Sequence, residues 1–233
     1  MNWVSYVILF IVLTSFYLVF IKLRQKQQLS FIKAYPFHKS IREKICKTYP
    51  HLTDEQTHLV FRALRDYFWM SNKGKRKMVA MPSQVVDIAW HEFILFTRSY
   101  KSFCRKALGH FLHHTPTEAM STPTLAQEGI KRAWRLACAK DEINPAKPLV
   151  LPLIFAIDTM LEIPDGFKYS LDCQDKRSNS SPAKDTGYCA GHIGCSSGCA
   201  GDSGYETTES TGFFDGLFDS NCGSNCGGGC GGD

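Results

Sequence analysis

A run of uncharged, mostly apolar residues from Trp3 to Ile21 dominates the hydrophobic pattern of this chain. At about 1.5 Å per residue, a helix over this run is about 28 Å long, close to the thickness of the hydrocarbon layer of a bilayer. A cleaved signal peptide would have a basic leader and a shorter apolar core, and a helix of a soluble core would have a polar face. The run has none of these features. The pattern predicts an uncleaved transmembrane anchor over residues 1–22.

Beyond the anchor, helical periodicity predicts an all-α domain of about five helices over residues 39–171. The first predicted helix is Lys39 to Tyr49, and the second is opened by the capping box Thr53-Asp-Glu-Gln56 and runs to Met70. The third runs from Ser83 to Leu108, where Gly109 ends it. The fourth runs from a second capping box at Thr124 through Ala139. In the third of these, Val86, Trp90, Phe93, Thr97, Tyr100, Cys104 and Ala107 recur by threes and fours and predict one buried face.

The last apolar segment of the domain, Pro148 to Ile163, admits two interpretations. We favour a short buried helix because Asp158 and Glu162 are four residues apart and would share one helix face. A strand over Leu149 to Leu153 is the alternative.

Charge divides the chain sharply. Residues 22–171 contain 24 Lys and Arg against 13 Asp and Glu, whereas residues 172–233 contain 3 against 9, together with 14 of the 18 glycines. Such a composition buries too little apolar surface to offset the entropy of ordering the backbone. Residues 172–233 are therefore predicted to be a disordered, low-complexity, acidic tail rather than a second domain.

Basic residues also predict the orientation of the anchor. Lys22, Arg24, Lys26 and Lys33 follow the apolar run, in a predicted juxtamembrane linker over residues 23–38, and no Lys or Arg precedes it. The positive-inside rule then places the amino terminus outside and the domain in the cytoplasm of a bacterium, with the inner (plasma) membrane as the location. The lipid bilayer is the first expected partner, and the basic run from Lys73 to Lys77 is either a solvated loop or a contact with anionic headgroups.

Five polar side chains of kinds that bind metals lie within a short aromatic stretch: Asp87, His91, His110, His113 and His114. Asp87 and His91 are four residues apart on one helix, so they are neighbours on its surface. Two interpretations are open. In the first, Asp87 and His91 form a local hydrogen bond, and Asp87, Trp90 and His91 together are a structural keystone. In the second, both serve a metal site, with Asp87 as a ligand or as the group that orients His91.

In the metal interpretation the remaining ligands come from His110, His113 or His114. Adjacent histidines seldom point the same way, so we expect only one of His113 and His114 to join. The site requires that Asp87, His91 and one of these histidines converge on a common point. Zn²⁺ or another soft or borderline metal suits such ligands.

Several familiar chemistries are excluded or disfavoured. His91-Glu92 resembles the start of a zinc-protease helix, but Leu95 stands where the second histidine is required. There is no phosphate-cradling glycine loop, nucleophile elbow or dinucleotide fingerprint. Cys104 lies on the aromatic helix face, where a buried thiol is far commoner than a nucleophile. No nucleic-acid-binding module is recognisable, so nucleic acid is not an expected partner.

The tail contains a second set of metal-binding side chains. Six of its seven cysteines are spaced Cys189, Cys195 and Cys199, then Cys222, Cys226 and Cys230. A cytoplasmic location disfavours disulfides, and flexible glycine spacers would let thiolates converge on Zn²⁺ or Cu⁺, although the paired Cys-x-x-Cys form is lacking. His192 would be a further ligand.

One block of the sequence consists of Met81-Pro-Ser83, Asp87-x-x-Trp-His91, Thr97, Tyr100, Phe103-Cys104, Gly109 and His113-His114, extended by Leu151 to Asp158 and Pro164 to Tyr169. This block, over Lys39 to Tyr169, resembles that of bacterial glycine-rich domain-containing-like proteins, in which a tail rich in Cys and Gly is a common companion. The resemblance implies a helical domain and assigns no reaction.

Two function hypotheses follow. The first is a membrane-anchored binding or scaffold protein, not an enzyme, whose partner is another membrane or cytoplasmic protein. The second is a metal-dependent enzyme or metal-handling protein that uses the histidine cluster and the tail thiols.

Overall fold

A computed structural model describes residues 3–114, 123–171, 187–189 and 193. Within these residues the chain is mostly helical, as predicted. The helices are α1 (Trp3–Ala34), α2 (Lys39–Thr48), α3 (Asp54–Lys73), α4 (Gln84–Leu95), α5 (Thr97–Ala107), α6 (Pro123–Lys140) and α7 (Leu153–Met160). Two strands, β1 (Lys168–Ser170) and β2 (Gly187–Cys189), pair in parallel with Tyr169 opposite Tyr188.

Helix α1 is continuous over 32 residues and is about 48 Å long. Its apolar amino-terminal part is not buried by the rest of the described chain, and it is the one helix among the described residues that is long and apolar enough to cross a membrane. The helix does not stop at residue 22. Residues 23–34, which we expected to form a linker, continue α1 into the domain, where Ile32 is buried.

A cluster of aromatic rings fixes the end of α1 to the domain. The ring of Phe103 on α5 lies 5.8 Å from that of Phe31 and 4.6 Å from that of Tyr35, and Phe68 on α3 and Phe93 on α4 lie 4.6 Å and 5.3 Å from it. Most of these pairs are edge-to-face, the arrangement that aromatic quadrupoles favour. Because α1, α3, α4 and α5 share this cluster, the domain holds the end of α1 in a fixed position.

The first predicted capping box is confirmed. The Thr53 hydroxyl accepts a hydrogen bond from the Gln56 amide (3.2 Å), and the Gln56 side chain accepts one from the Thr53 amide (2.8 Å). The helix runs to Lys73, beyond the predicted end at Met70. The second predicted box lies at the start of α6, where the side chains of residues 123–125 are outside the described part of the chain.

The prediction of one helix from Ser83 to Leu108 is wrong. The chain forms α4 and α5, separated at Phe96, whose ψ of 57° is not helical. The predicted inward face is nevertheless buried on both helices, except at Thr97, which is exposed. The break turns α5 away from the α4 axis so that α5 packs along α1 while α4 packs on α2, α3 and α7.

The apolar segment near residue 150 is a helix, as favoured, and the strand alternative is wrong. Helix α7 begins only at Leu153, and Leu149 is exposed. Asp158 is buried, whereas Glu162 is exposed and lies beyond the helix in a left-handed conformation with φ of 52°. The two carboxylates therefore do not share a helix face.

Two further expectations need correction. Six helices follow α1 within the described residues, against about five predicted, because α4 and α5 are separate. The region predicted to be a disordered tail contains β2 and the buried residue Ile193, so residues beyond 171 contribute to the domain. The rest of the tail prediction lies outside the described residues.

Candidate metal centre

The first turn of α4 is held by Asp158 from α7. One oxygen of its carboxylate accepts hydrogen bonds from the Ser83 hydroxyl (2.7 Å) and the Val85 amide (3.2 Å). The other accepts from the amides of Gln84 (2.7 Å) and Phe167 (2.9 Å). A carboxylate at this position satisfies helix amides that would otherwise lack partners and also complements the helix dipole.

Two opposing effects act on the pKa of the Asp158 carboxyl. Burial raises the pKa of the Asp158 carboxyl above its ordinary value, and the hydrogen bonds donated to it act in the opposite direction. Ser83 is itself the N-cap of α4, since its hydroxyl accepts from the Val86 amide (3.3 Å). The start of α4 is thus fixed one turn before Asp87.

Asp87 and His91 face outward from α4 towards a returning segment of chain. Gly109, with φ of 78°, ends α5 in a left-handed conformation and reverses the direction of the backbone. The segment is then held against the helices because the Tyr100 hydroxyl donates to the Leu112 carbonyl (2.6 Å). This return brings His114 over α4.

Trp90 supports the returning segment from below. Its indole N–H donates to the Tyr100 hydroxyl (3.1 Å), and its ring packs edge-on against the ring of His114 with centroids 4.7 Å apart. The chain of hydrogen bonds from Trp90 through Tyr100 to Leu112 links the buried face of α4 to the segment that presents His114. Trp90 therefore positions the site rather than offering it a ligand atom.

Asp87, His91 and His114 form a closed triangle of polar contacts. Asp87 Oδ2 lies 3.3 Å from His91 Nδ1, and Asp87 Oδ1 lies 3.4 Å from His114 Nε2. The third contact joins His91 Nε2 to His114 Nδ1 at 3.4 Å. We call these three residues the Asp–His–His triad.

The triad has the dimensions of a metal site. One ligand atom from each residue can be chosen so that all three lie within 4.8 Å of one another, and three such atoms lie within about 2.8 Å of a common point. Zinc sites need nitrogen and oxygen ligands at about 2.0–2.2 Å, so shifts of less than about 1 Å would complete the coordination. Two nitrogens bound to tetrahedral zinc lie about 3.3–3.4 Å apart, which is the separation of His91 Nε2 and His114 Nδ1.

Proton counting shows that the triad lacks one positive charge when both imidazoles are neutral. Each of the three contacts joins two atoms that carry lone pairs, so a proton or a cation between them would make the contact attractive. Two neutral imidazoles supply two N–H groups for three contacts. An additional proton or a bound cation would complete the third contact.

Burial shifts the pKa values of two members of the triad. The side chains of Asp87 and His114 are each 21% exposed, and that of His91 is 48% exposed. Burial raises the pKa of the Asp87 carboxyl, and the charges of His91 and His114 oppose this rise. Burial lowers the pKa of His114, against the opposing attraction of Asp87. A lowered pKa keeps the His114 imidazole neutral, which is the form that binds metals.

The other predicted ligands do not join the triad. The ring of His113 packs against Phe111, with centroids 4.7 Å apart, and His110 Nδ1 lies 3.2 Å from the Leu108 carbonyl oxygen. As expected for adjacent histidines, only one of His113 and His114 points to the site. Cys104 is buried on the helix face, and burial raises the pKa of its thiol, which disfavours a nucleophilic thiolate.

The tail ligands cannot be placed. Cys189 ends β2, and its side chain is outside the described part of the chain. The five remaining predicted tail ligands, Cys195, Cys199, Cys222, Cys226 and Cys230, also lie outside the described residues, as does His192.

Sequence reasoning missed the part that Asp158 plays in holding α4. A signal was present, because Asp158 stands within the strongly apolar stretch from Leu151 to Leu161, and a buried carboxylate must find donors. The donors come from Ser83 and its neighbours, some 75 residues away in sequence. No local pattern identifies such a partner.

The described domain is a helical bundle with an Asp–His–His triad at one surface. The UCP032817-like family matches residues 27–193, and the chain belongs to this family. The match begins within α1, close to where that helix enters the domain, and ends at the buried residue Ile193. Searches of curated proteins and of solved structures gave no match.

The family match corrects the resemblance drawn from the sequence. That resemblance, to glycine-rich domain-containing-like proteins, is wrong, because the matching family is UCP032817-like and no glycine-rich domain family is found. Short motifs such as Asp-x-x-Trp-His were therefore a misleading guide to the family. The residues of the motif still have the structural roles described above.

Proposed function

We propose that this protein is a membrane-anchored metal-binding protein whose cytoplasmic domain binds one Zn²⁺, or another borderline divalent ion, through Asp87, His91 and His114. The observation that carries the proposal is the convergence of two imidazoles and one carboxylate within 4.8 Å.

The ligand set indicates an accessible ion. Three protein ligands leave the fourth tetrahedral position to water or to a further ligand, an arrangement typical of catalytic zinc sites, whereas structural zinc sites use four protein ligands. His91 is the most exposed member of the triad, so the open position faces solvent. We propose metal binding as the function and assign no reaction.

A zinc titration of the full chain tests the proposal. The six cysteines from Cys189 to Cys230 are replaced by serine, so that these thiolates do not compete, and this six-serine protein is kept in a neutral detergent. We expect one strong site by isothermal titration calorimetry. His91→Ala should weaken zinc binding by about 100-fold or more, because loss of a direct ligand costs more than the roughly 10–100-fold caused by loss of an outer partner.

His113→Ala is the matched control for that titration. It removes an exposed imidazole one residue from His114 that does not contact the triad, so zinc affinity should be unchanged. Equal weakening by both variants, or no strong site in the six-serine protein, would contradict the proposal.

The topology of the anchor gives a separate prediction. Lys22, Arg24 and Lys26 follow the apolar part of α1, so we propose that the amino terminus lies outside and the domain in the cytoplasm. Alkaline phosphatase, which is active only in the periplasm, fused after Asp233 should be inactive, and a cytoplasmically active β-galactosidase fusion should be active. The reverse pattern would refute the orientation.

A second candidate function is a metal-independent scaffold for another membrane or cytoplasmic protein. It is favoured by the closure of the triad contacts on one another, which an extra proton on one imidazole would complete. The two candidates differ in thermal melting with and without a chelator. A chelator should lower the melting temperature of the six-serine protein if the triad holds metal and should have no effect if the triad is proton-bridged.

A further inference from the structure

A basic cleft runs along the outer face of α5, away from the triad. Its volume is about 370 Å³, and its lining includes Arg98, Lys101, Arg105, His110 and Phe111. The three basic residues of α5 are three and four positions apart, so they share one helix face. The segment that returns after Gly109 forms the opposite wall.

The cleft has positive charge without compensation. The sequence from Phe93 to Thr117 contains no Asp or Glu. Among the ion pairs of the described residues, none involves Arg98, Lys101 or Arg105. Like charges held side by side repel one another, and an anion in the cleft would relieve that repulsion.

The Gly109 end of the cleft lies at the membrane end of the domain, and the cleft extends from there along α5 towards Arg98, away from the apolar part of α1. Helix α5 runs antiparallel to α1, because Phe103 packs against Phe31 and Tyr35 whereas Gly109, at the far end, lies beside Arg24. A methyl group added at Gly109 would be 3.6 Å from the Arg24 guanidinium. Arg24 is three residues after Ile21, or about 4.5 Å along the helix from the end of the apolar run.

A buried hydrogen-bonded link fixes this arrangement. The Asn72 side-chain amide donates to the Ala107 carbonyl (2.8 Å) at the end of α5 and to the Gln28 side chain (3.1 Å) on α1. Because Asn72 belongs to α3, three helices meet at this point. The Gly109 end of the cleft is therefore held at a fixed distance from the apolar part of α1.

We propose that this cleft binds the phosphate-containing headgroup of an anionic phospholipid. The inference rests on the part of the proposed function that places α1 in a membrane, and it is independent of the metal. Guanidinium groups bind phosphate through paired hydrogen bonds, and basic clusters immediately cytoplasmic of a membrane helix attract anionic lipids. Phe111, 44% exposed, adds an apolar surface for the glycerol and upper acyl carbons.

The experiment uses the full chain in a neutral detergent. It is titrated with short-chain phosphatidylglycerol, short-chain phosphatidylcholine and inorganic phosphate, and binding is followed by microscale thermophoresis. We expect phosphatidylglycerol to bind more tightly than either of the other two. The variant Arg98→Gln/Lys101→Gln/Arg105→Gln should weaken phosphatidylglycerol binding by about tenfold or more.

A control variant removes the same charge elsewhere. Lys44→Gln/Lys47→Gln/Arg135→Gln alters three exposed residues on α2 and α6 and should leave phosphatidylglycerol affinity unchanged. Equal weakening by both triple variants would show diffuse attraction and overturn the proposal. Equal affinity for inorganic phosphate would also overturn the proposal and would indicate a site for a free anion. Equal affinity for phosphatidylcholine would overturn it as well, because the lipid would then need no net negative charge.

A failure of lipid binding can be distinguished from a failure of the proposed topology or of the proposed zinc site. Detergent-solubilised protein does not require α1 to span a bilayer, so a failed topology test leaves this measurement interpretable. His91→Ala should lose zinc and keep phosphatidylglycerol, whereas the α5 triple variant should keep zinc.

Discussion

Replacement of Asp158 by alanine is expected to lower the free energy of unfolding by about 3–5 kcal/mol, since removing one partner of a buried charged network leaves the others unsatisfied. Asp158 is 2% exposed, and its carboxylate accepts from the Ser83 hydroxyl and from the amides of Gln84, Val85 and Phe167. The measurement is guanidinium denaturation of the full chain in neutral detergent, followed by far-ultraviolet circular dichroism.

Glu128→Gln is the control for Asp158→Ala. The Glu128 side chain is 65% exposed and has only a long contact with Arg132 (3.7 Å), so its replacement should change stability by less than about 0.5 kcal/mol. A similarly small effect of Asp158→Ala would show that the start of α4 is held by other contacts. Zinc affinity should also fall in Asp158→Ala, because Asp87 lies one turn after the anchored residues.

Trp90→Ala is expected to cost about 3–5 kcal/mol, the range typical of a large aromatic removed from a core. The residue is 4% exposed and packs against Tyr67, with ring centroids 4.8 Å apart, and against His114. The substitution also removes the donor to Tyr100. The same denaturation experiment measures the loss.

Two companion variants separate packing from hydrogen bonding at Trp90. Trp90→Phe keeps an aromatic ring and loses the N–H donor, so it should cost less than Trp90→Ala. Leu95→Ala, on the same helix at a residue 71% exposed, should change stability by less than about 0.5 kcal/mol. Unchanged stability of Trp90→Ala would mean that the indole is not part of the domain core in solution.

The residues that sequence predicted best are those governed by local rules. The capping box of Thr53 and Gln56 depends on four consecutive positions, and it forms as predicted. The proximity of Asp87 and His91 follows from helix geometry alone. The buried face of α4 and α5 follows from periodicity, which a single break did not disturb.

The features that sequence did not predict depend on tertiary contacts. No Gly or Pro marks the break at Phe96 in the sequence. The break allows α5 to pack along α1. The sequence offered three histidines after α5, and the hydrogen bond from Tyr100 to Leu112 selects His114 by fixing the path of the returning chain. The strand at Gly187–Cys189 lies in a glycine-rich region, where it owes its place to pairing with Lys168–Ser170.

X-ray absorption at the zinc edge tests the proposed metal centre most directly. One equivalent of Zn²⁺ is added to the six-serine protein, and the coordination shell is determined for that protein and for the His114→Ala variant. We expect two imidazoles and oxygen ligands at about 2.0–2.1 Å with no sulfur at about 2.3 Å, and loss of one imidazole in the variant. A sulfur shell, or an identical imidazole count in both proteins, would contradict it.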